Sequence, residues 1–158
     1  TFGNKDGKQE VWTNTFLDPG DSDDETLDIA AYGDGRFLVV GKDGYMRYRD
    51  LNQWQNALFD LPGNEASRTF TGVWIGADVV IVSAWRVSNF SRVLELWTTS
   101  KDADPQVGNN WTVHTLDSVY GGAAGLFDVW GLENGTVKLV GSGRQTFNGY
   151  QQGLVYTR

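Results

Sequence analysis

The chain contains no cysteine and only one methionine in 158 residues. Without cysteine it can form no disulfide framework, no thiolate zinc site and no cysteine nucleophile. It also lacks any apolar run near the roughly 18 residues that a membrane-spanning helix needs, so we expect no membrane span. Positive charge is scarce: 13 Lys and Arg against 20 Asp and Glu leave a net charge of −7. That balance argues against nucleic acid or an anionic membrane surface as a partner.

Glycine and aromatic residues are abundant instead. There are 20 Gly but only 3 Pro, with 7 Trp, 6 Tyr and 8 Phe. Glycine well above its average share of about 7% indicates many tight turns. Between the turns lie short apolar or alternating runs that predict strands, at 37–40, 79–82, 93–97, 111–116, 137–140 and 154–156. No window keeps a helical apolar period over three turns, so the predicted fold class is all-β.

The predicted strands recur in a fixed order, which indicates an internal repeat. Three times an aromatic residue is followed by a Gly-containing turn and an apolar strand, starting at Tyr32, Trp74 and Trp130. Each repeat then has a strand ending in an aromatic residue, and a fourth strand begins at Trp54 in the first repeat and at Trp111 in the second. The predicted units span 27–60, 70–117 and 126–158.

The third unit has no fourth strand before the sequence stops, but residues 10–17 have the shape of one. The repeat is therefore predicted to be circularly permuted, with the N-terminal strand completing the last unit. Units of four antiparallel strands are typical of β-propeller blades. We expect one propeller-like domain over residues 1–158, with three blades.

The turns before the fourth strands resemble the Asp-box of sialidase-type (BNR-like) propellers, Ser-x-Asp-x-Gly-x-Thr-Trp. The second unit has Ser100-Lys101-Asp102, an insertion, and then Gly108-Asn109-Asn110-Trp111. More degenerate forms precede the Trp of the other two fourth strands. In that family the Asp closes the turn and the Trp packs between blades. The resemblance therefore implies structural roles, not catalytic ones, for Asp6, Trp12, Asp50, Trp54, Asp102 and Trp111.

Three blades raise the question of ring closure, because natural closed propellers have at least four. Two identical chains could form a six-bladed ring about a two-fold axis. Alternatively, the chain is a piece of a longer propeller, or its end strands pass from chain to chain in a filament. Sialidase activity would need a carboxylate-binding Arg triad, a Tyr/Glu pair and an Asp acid in a six-bladed ring, so we expect none.

Candidate binding residues are those that depart from the repeat. Trp85 has no counterpart in the other units, and it begins a loop with Arg86 and Asn89; the corresponding loop of the third unit carries Arg144, Asn148 and Tyr150. An exposed aromatic ring offers an apolar face to a sugar, while Arg and Asn supply hydrogen bonds. These six residues are predicted to bind a glycan or a protein partner. The alternative is that both loops pack on a neighbouring blade or subunit.

Metal and acid–base sites have weaker support. Asp21, Asp23 and Asp24 lie in an acidic run that could supply oxygens to calcium, but the spacing is not that of an EF-hand. A solvated acidic linker is the favoured interpretation, and no other cofactor is expected. His114, the only histidine, lies in mid-strand without a second His or Cys nearby in the sequence, so we expect no metal or acid–base role for it.

Three Asn-x-Ser/Thr sequons, at Asn89, Asn110 and Asn134, favour a secreted or periplasmic location. The predicted function is a non-catalytic recognition or assembly module that self-associates through its blades and binds carbohydrate in the manner of a lectin. One alternative is a structural subunit of a larger complex or filament without a small ligand. The other is a glycosidase-like enzyme, which would require carboxylates of different blades to converge.

Overall fold

The computed structural model describes residues 26–50, 53–56, 68–88, 91–116, 125–132, 136–144 and 151–157. Over these residues it contains eleven strands and one short 3₁₀ helix. The strands form three antiparallel sheets, so the predicted all-β class is confirmed. No helix in these ranges is long and apolar enough to cross a membrane.

The first sheet has four strands in sequential order: β1 (Thr26–Ala31), β2 (Phe37–Gly41), β3 (Met46–Asp50) and β4 (Gln53–Asn56). A tight turn joins β2 to β3, closed by a hydrogen bond from the Tyr45 N–H to the Lys42 carbonyl at 2.8 Å. Its two central residues, Asp43 and Gly44, have φ of 52° and 82°. An Asp-Gly pair with both φ positive makes a type I′ turn, whose twist matches that of the flanking strands.

The second sheet also has four strands in sequential order: β5 (Arg68–Ile75), β6 (Val79–Ser88), β7 (Ser91–Ser100) and β8 (Thr112–Leu116). β6 and β7 form the longest hairpin, paired from Val79 opposite Ser100 to Ser88 opposite Ser91. A 3₁₀ turn over Gly108–Asn110 precedes β8. The predicted strand at 111–116 therefore begins one residue later than expected, because Trp111 caps this turn.

The third sheet contains β9 (Gly125–Gly131), β10 (Val137–Arg144) and β11 (Gln151–Thr157), with β10 in the middle. The sequence assigns residues 10–17 to its fourth strand, and that segment lies outside the described residues.

The three sheets repeat one another in detail at their first two strands. Each first strand has a β-bulge at the same place in its register, and the bulged residues are Leu27, Thr71 and Phe127. Each turn to the second strand is closed by a backbone hydrogen bond of 2.8 to 2.9 Å, from Tyr32 to Arg36, from Gly76 to Val79, and from Leu132 to Thr136. A bulge is a specific local feature, so its recurrence shows that the sheets are copies of one unit.

These registers correct the sequence alignment of the first repeat by two residues. The sequence pattern aligns Tyr32 with Trp74 and Trp130, whereas the strand pairing places Ala30 at the position of the two tryptophans. Tyr32 instead begins the turn, at the position of Gly76 and Leu132. A shift of two keeps every side chain on the same face of a strand, so alternation alone could not reveal the error.

Two hydrophobic clusters fill the spaces between the sheets. The first cluster lies between the first and second sheets and contains Tyr32, Leu38, Val40, Met46, Tyr48, Phe70, Val73, Val80, Val82, Ala84, Trp97 and Trp111. The second cluster lies between the second and third sheets and contains Ile81, Leu94, Leu126, Val129, Val137 and Leu139. The second sheet is thus buried on both faces, with alternate residues of β6 entering different clusters.

We call the face of a sheet that is turned toward the preceding sheet its N-side face, and the opposite one its C-side face. In the second sheet Val73 belongs to the N-side face and Trp74 to the C-side face. The strand registers extend both names to equivalent positions of the other sheets. Ile29 and Val129 therefore lie on N-side faces, and Ala30 and Trp130 on C-side faces.

The first strands of the three sheets lie side by side, with β5 between β1 and β9. Asp28 in β1 accepts the Val73 N–H of β5 at 2.8 Å through Oδ2. On the other side of β5, a Cβ placed on Gly72 would lie 2.8 Å from the backbone nitrogen of Val129 in β9. Only glycine fits at this point, so residue 72 determines how closely β5 and β9 approach.

Candidate functional site

A buried carboxylate lies in the second sheet at the end where the predicted binding loop joins β6 to β7. The Glu95 side chain is 3% exposed, and Arg68 and Arg86 each donate an Nε–H to it, at 3.0 and 2.5 Å, on different oxygens. The Trp97 indole N–H donates to Oε2 at 3.0 Å. The Arg68 guanidinium also lies over the Trp97 ring, 5.1 Å from its centre.

This arrangement is structural in character. Both Glu95 oxygens already accept charge-assisted or indole hydrogen bonds, so the carboxylate is not presented to a ligand. Removing Glu95 would leave two neighbouring guanidinium groups without the carboxylate between them, at a cost of about 3–5 kcal/mol, whereas removing either Arg would leave one ion pair in place. Sequence reasoning missed this cluster, although a charged residue inside the apolar run Val93–Trp97 is the kind of feature that could have revealed it.

The structure separates the two neighbouring residues of the predicted binding loop, Trp85 and Arg86. They are consecutive in β6, so their side chains lie on opposite faces of the sheet. Trp85 is half-buried on the C-side face, packed against the second cluster, with the Arg92 guanidinium 4.3 Å from the centre of its ring. Arg86 lies on the N-side face, bound to Glu95. The two therefore do not form one continuous platform.

The other four candidate ligand-binding residues are less defined. Arg144 ends β10, where it pairs with Gln151 of β11. Asn89, Asn148 and Tyr150 lie outside the described residues. Glycan binding by this loop pair stays a prediction.

The loop between β7 and β8 carries the motif that resembles an Asp-box. Its turn is closed by Asp104, whose Oδ1 accepts the Gln106 N–H at 2.9 Å. Asp102 is exposed, and its own N–H donates to Ser100 Oγ at 3.3 Å. The Asn110 side chain donates to the Asp104 carbonyl at 2.9 Å. The turn-closing carboxylate among the described residues is thus two positions beyond the one that the motif indicated.

Trp111, the last residue of that motif, is 6% exposed. Its indole N–H donates to the Pro105 carbonyl at 2.9 Å, and its ring meets Trp97 edge to face with centres 6.4 Å apart. It belongs to the first cluster, between two sheets. In the other repeats, Trp54 pairs with Arg49 through β4 and β3, whereas Asp6 and Trp12 lie outside the described residues.

A polar cleft of about 230 Å³ brings together Asp50 and Asp102, which the sequence placed in equivalent turns of different repeats. The other lining residues are Arg36, Tyr48, Ala103, Asp104 and Gln106. The Arg36 guanidinium is already engaged, with Asp34 at 2.6 Å and the Tyr48 hydroxyl at 3.2 Å. Hydrogen bonding from Arg36 holds the pKa of the Asp34 carboxyl below its usual value.

A second cleft, of about 480 Å³, lies where the β5–β6 turn meets the end of β9. It is lined by Trp74, Ile75, Gly76, Ala77, Lys101 and Gly131. The Trp74 ring lies so close to Gly131 that a Cβ on that glycine would overlap it. Trp74 therefore serves to pack the second sheet on the third.

Metal-ligating side chains do not converge in the part of the chain that the structure describes. No group of three or more His, Asp and Glu side chains is found there. The calcium candidates Asp21, Asp23 and Asp24 lie outside that part. His114 is exposed on β8, where its Nε2 lies 3.3 Å from the Thr98 hydroxyl.

Among the described residues, most large exposed apolar side chains lie in or next to the first and third sheets; the others are Val87 in the second sheet, 52% exposed, and Val107 in the β7–β8 loop, 44% exposed. On the C-side face of the third sheet, Phe127 is 58% exposed, Trp130 53% and Val140 45%. On the N-side face of the first sheet, Ile29 is 55% exposed. Contiguous exposed apolar surface of this kind is typical of an interaction site. This exposure has no signal in the sequence, since Trp130 has an aromatic counterpart in Trp74, which is half-buried.

Comparison with known proteins adds little. No family model matches the chain, and no solved structure matches it. The "Presenilin-associated rhomboid-like protein, mitochondrial" of Homo sapiens and that of Pongo abelii are each 28% identical to it over 102 residues, 63% of the chain. The chain spans about a quarter of the length of these curated relatives, 25% in each case. A match of this identity and extent does not assign the chain to their family.

Proposed function

We propose that this protein is a non-catalytic assembly module, built from β-propeller-type blades, that self-associates through the outer faces of its first and third sheets. The observation that carries the proposal is a difference in exposed fraction between side chains at equivalent repeat positions. Val73 and Val129 are 5% and 4% exposed because a preceding sheet covers them, whereas Ile29 at the same position is 55% exposed. The N-side face of the first sheet is thus open at Ile29 of β1, whereas Val39, its partner in β2, is fully buried.

The C-side faces support the same conclusion. At the position of Trp74, which is half-buried on the third sheet, Trp130 is 53% exposed. At the position of the fully buried Val40 and Ser83, Val140 is 45% exposed. Burying large apolar side chains contributes about 1.5–3 kcal/mol each, so covering this face favours association.

A ring explains both exposed faces at once. Each sheet has a first strand beside that of its neighbour, which is the arrangement of propeller blades around an axis. Two chains of three blades make six, within the four to eight blades of natural rings. In such a ring every N-side face meets a C-side face, and no outer face remains.

The non-catalytic character rests on what the charged groups already do. The buried Glu95 and the cleft residue Arg36 are both held in ion pairs within the chain. Carbohydrate recognition by the two loops, and a secreted or periplasmic location, remain part of the proposal on the sequence pattern alone.

The deciding experiment is the absolute mass in solution by light scattering at two concentrations. We expect twice 17.5 kDa, about 35 kDa. Val140→Asp places a charge on the proposed interface and should lower the mass to that of one chain. Val107→Asp is the matched control, because Val107 is 44% exposed in the β7–β8 loop, and it should leave the mass at that of two chains.

Two other outcomes of the mass measurement would decide between the proposals. A single-chain mass for the unmodified protein at both concentrations would contradict the proposal. A ladder of larger species would favour the alternative function, a structural subunit of a filament or larger complex.

A further inference from the structure

The hairpin of β6 and β7 is longer than the hairpin of β2 and β3. Gly41, where β2 ends, is equivalent to Ala84 of β6, and β6 continues from there to Ser88. Val87 lies directly opposite Arg92 of β7, so the two side chains share a face of the sheet. Trp85, two residues before Val87, lies on the same C-side face. We call Trp85, Val87 and Arg92 the hairpin patch.

The Arg92 guanidinium is held in place by packing. It lies over the Trp85 ring, 4.3 Å from the ring centre. The start of β9 is also close, since a Cβ on Gly125 would lie 3.6 Å from Arg92 Nη1. A cation–π contact uses the flat face of a guanidinium, whereas its N–H groups lie in the plane. Stacking therefore fixes the directions of the Arg92 donors without occupying them.

No carboxylate of the described residues meets these donors. Arg36, Arg68 and Arg86 each bind one within the chain. Arg92, by contrast, has no hydrogen bond or ion pair within the described ranges, although the chain carries 20 Asp and Glu. The planar donors of arginine match the two oxygens of a carboxylate, which accepts two parallel hydrogen bonds. The hairpin patch thus presents a preorganised group for a carboxylate.

The side chain beside Arg92 is apolar and open. Val87 is 52% exposed, whereas Ile81 on the same face of β6 is 3% exposed beneath the third sheet. Arginine and tryptophan next to apolar surface are the residue types that anchor protein–protein interfaces. The Trp85 ring already contacts the second cluster and Arg92, so it offers a sugar less surface than a free aromatic ring. These contacts favour a protein partner over a glycan.

We propose that the hairpin patch binds a segment of a partner protein in which one Glu or Asp is flanked by apolar residues. The carboxylate binds the Arg92 guanidinium, and an adjacent apolar side chain packs on Val87. Trp85 is a positioning residue that acts through Arg92. Because the chain has a net charge of −7, a strongly acidic tail would be repelled, and a single carboxylate fits better.

This inference goes beyond the proposed function. The patch lies on the second sheet, whereas self-association is assigned to the outer faces of the first and third sheets. The two contacts can therefore be tested separately.

Fluorescence anisotropy with two pools of labelled, capped pentapeptides tests the contact. Both pools carry Leu, Val or Phe on each side of the central residue, which is Glu in one pool and Gln in the other. We expect the Glu pool to bind about tenfold more tightly, the effect of one charge-assisted hydrogen-bonded contact. The preference should decrease as salt is added, because the patch is exposed.

Three variants assign the binding to the patch. Arg92→Gln should bind both pools equally and keep its melting temperature, because this side chain is exposed. Lys101→Gln is the matched control: it removes a positive charge just after the other end of β7 and should keep the tenfold preference. Val87→Ser should weaken binding of both pools alike, because it removes apolar contact and no charge.

The results that would overturn the inference are distinct. They are equal affinity of the unmodified protein for the two pools, no binding of either pool, or a preference for Glu that survives in Arg92→Gln. Tighter binding of an oligogalacturonate than of the Glu pool, lost in Arg92→Gln, would assign the patch to an acidic glycan instead. Arg92→Gln should still have the mass of two chains in light scattering, so failure of this inference leaves the proposed self-association intact.

Discussion

At the scale of single residues, the buried polar groups of the protein differ in how completely they are hydrogen-bonded. Glu95 has a donor for each oxygen and a third from Trp97. Tyr32 is 4% exposed, and within the described residues its hydroxyl has no hydrogen-bond partner. Its ring is nevertheless well packed, edge to face with Tyr48 and beneath the Arg36 guanidinium. The ring stabilises the first cluster, and the hydroxyl costs free energy.

Tyr32→Phe should therefore stabilise the protein, by about 1 kcal/mol, because it keeps the ring and removes a buried unpaired hydroxyl. Thermal unfolding measures this. Tyr48→Phe is the matched control: it removes the hydroxyl that accepts a hydrogen bond from Arg36 at 3.2 Å, so it should lower the melting temperature. A lower melting temperature for Tyr32→Phe would show that its hydroxyl has a partner.

The same hydroxyl should make the folding stability depend on pH in the alkaline range. Burial raises the pKa of the Tyr32 hydroxyl far above its usual value near 10, while in the unfolded chain it ionises near 10. Above that pH the unfolded state binds fewer protons than the folded state, so stability falls as pH rises. Melting curves from neutral pH upward should show this loss in the unmodified protein and a smaller loss in Tyr32→Phe. Equal losses of stability in the two proteins would contradict the conclusion that ionisation of Tyr32 causes the loss.

At the scale of strands, glycine decides where sheets approach. A Cβ on Gly72 would lie within 3.0 Å of three atoms of Asp128 and Val129, two of them backbone. A Cβ on Gly125, at the other end of the junction, would meet nothing closer than 3.6 Å. The two glycines therefore differ in the space around them, although each lies in the first strand of a sheet.

Gly72→Ala should destabilise the protein by about 1–3 kcal/mol, because β5 and β9 must separate to accommodate the methyl group. Gly125→Ala should be tolerated, since its methyl group would make ordinary van der Waals contacts. Chemical denaturation of both variants measures the difference. Equal stabilities would mean that β5 and β9 are not in the close contact described.

At the scale of the whole molecule, equivalent positions of the described sheets differ in how far they are covered. Val129, between two sheets, is 4% exposed, whereas Ile29 at the same position is 55% exposed. Covering the end faces by association would stabilise the folded state by mass action.

The melting temperature should consequently rise by a few degrees over about a hundredfold increase in protein concentration. Val140→Asp should abolish this dependence and Val107→Asp should preserve it. A melting temperature independent of concentration, in a range where the mass is that of two chains, would show that the interface contributes nothing to folding stability.

The sequence by itself determined the all-β class and the strand-forming segments, because alternation of apolar side chains and glycine-rich turns are local properties of the chain. Only the tertiary structure decided which residues occupy equivalent positions, that Trp85 and Arg86 lie on opposite faces, and that Asp104 closes the loop before Trp111. Those facts depend on strand register and on bulges, which shift a strand against its partner without any local trace in the sequence. The exposure of Trp130 is of the same kind, since it depends on whether a further sheet covers that face.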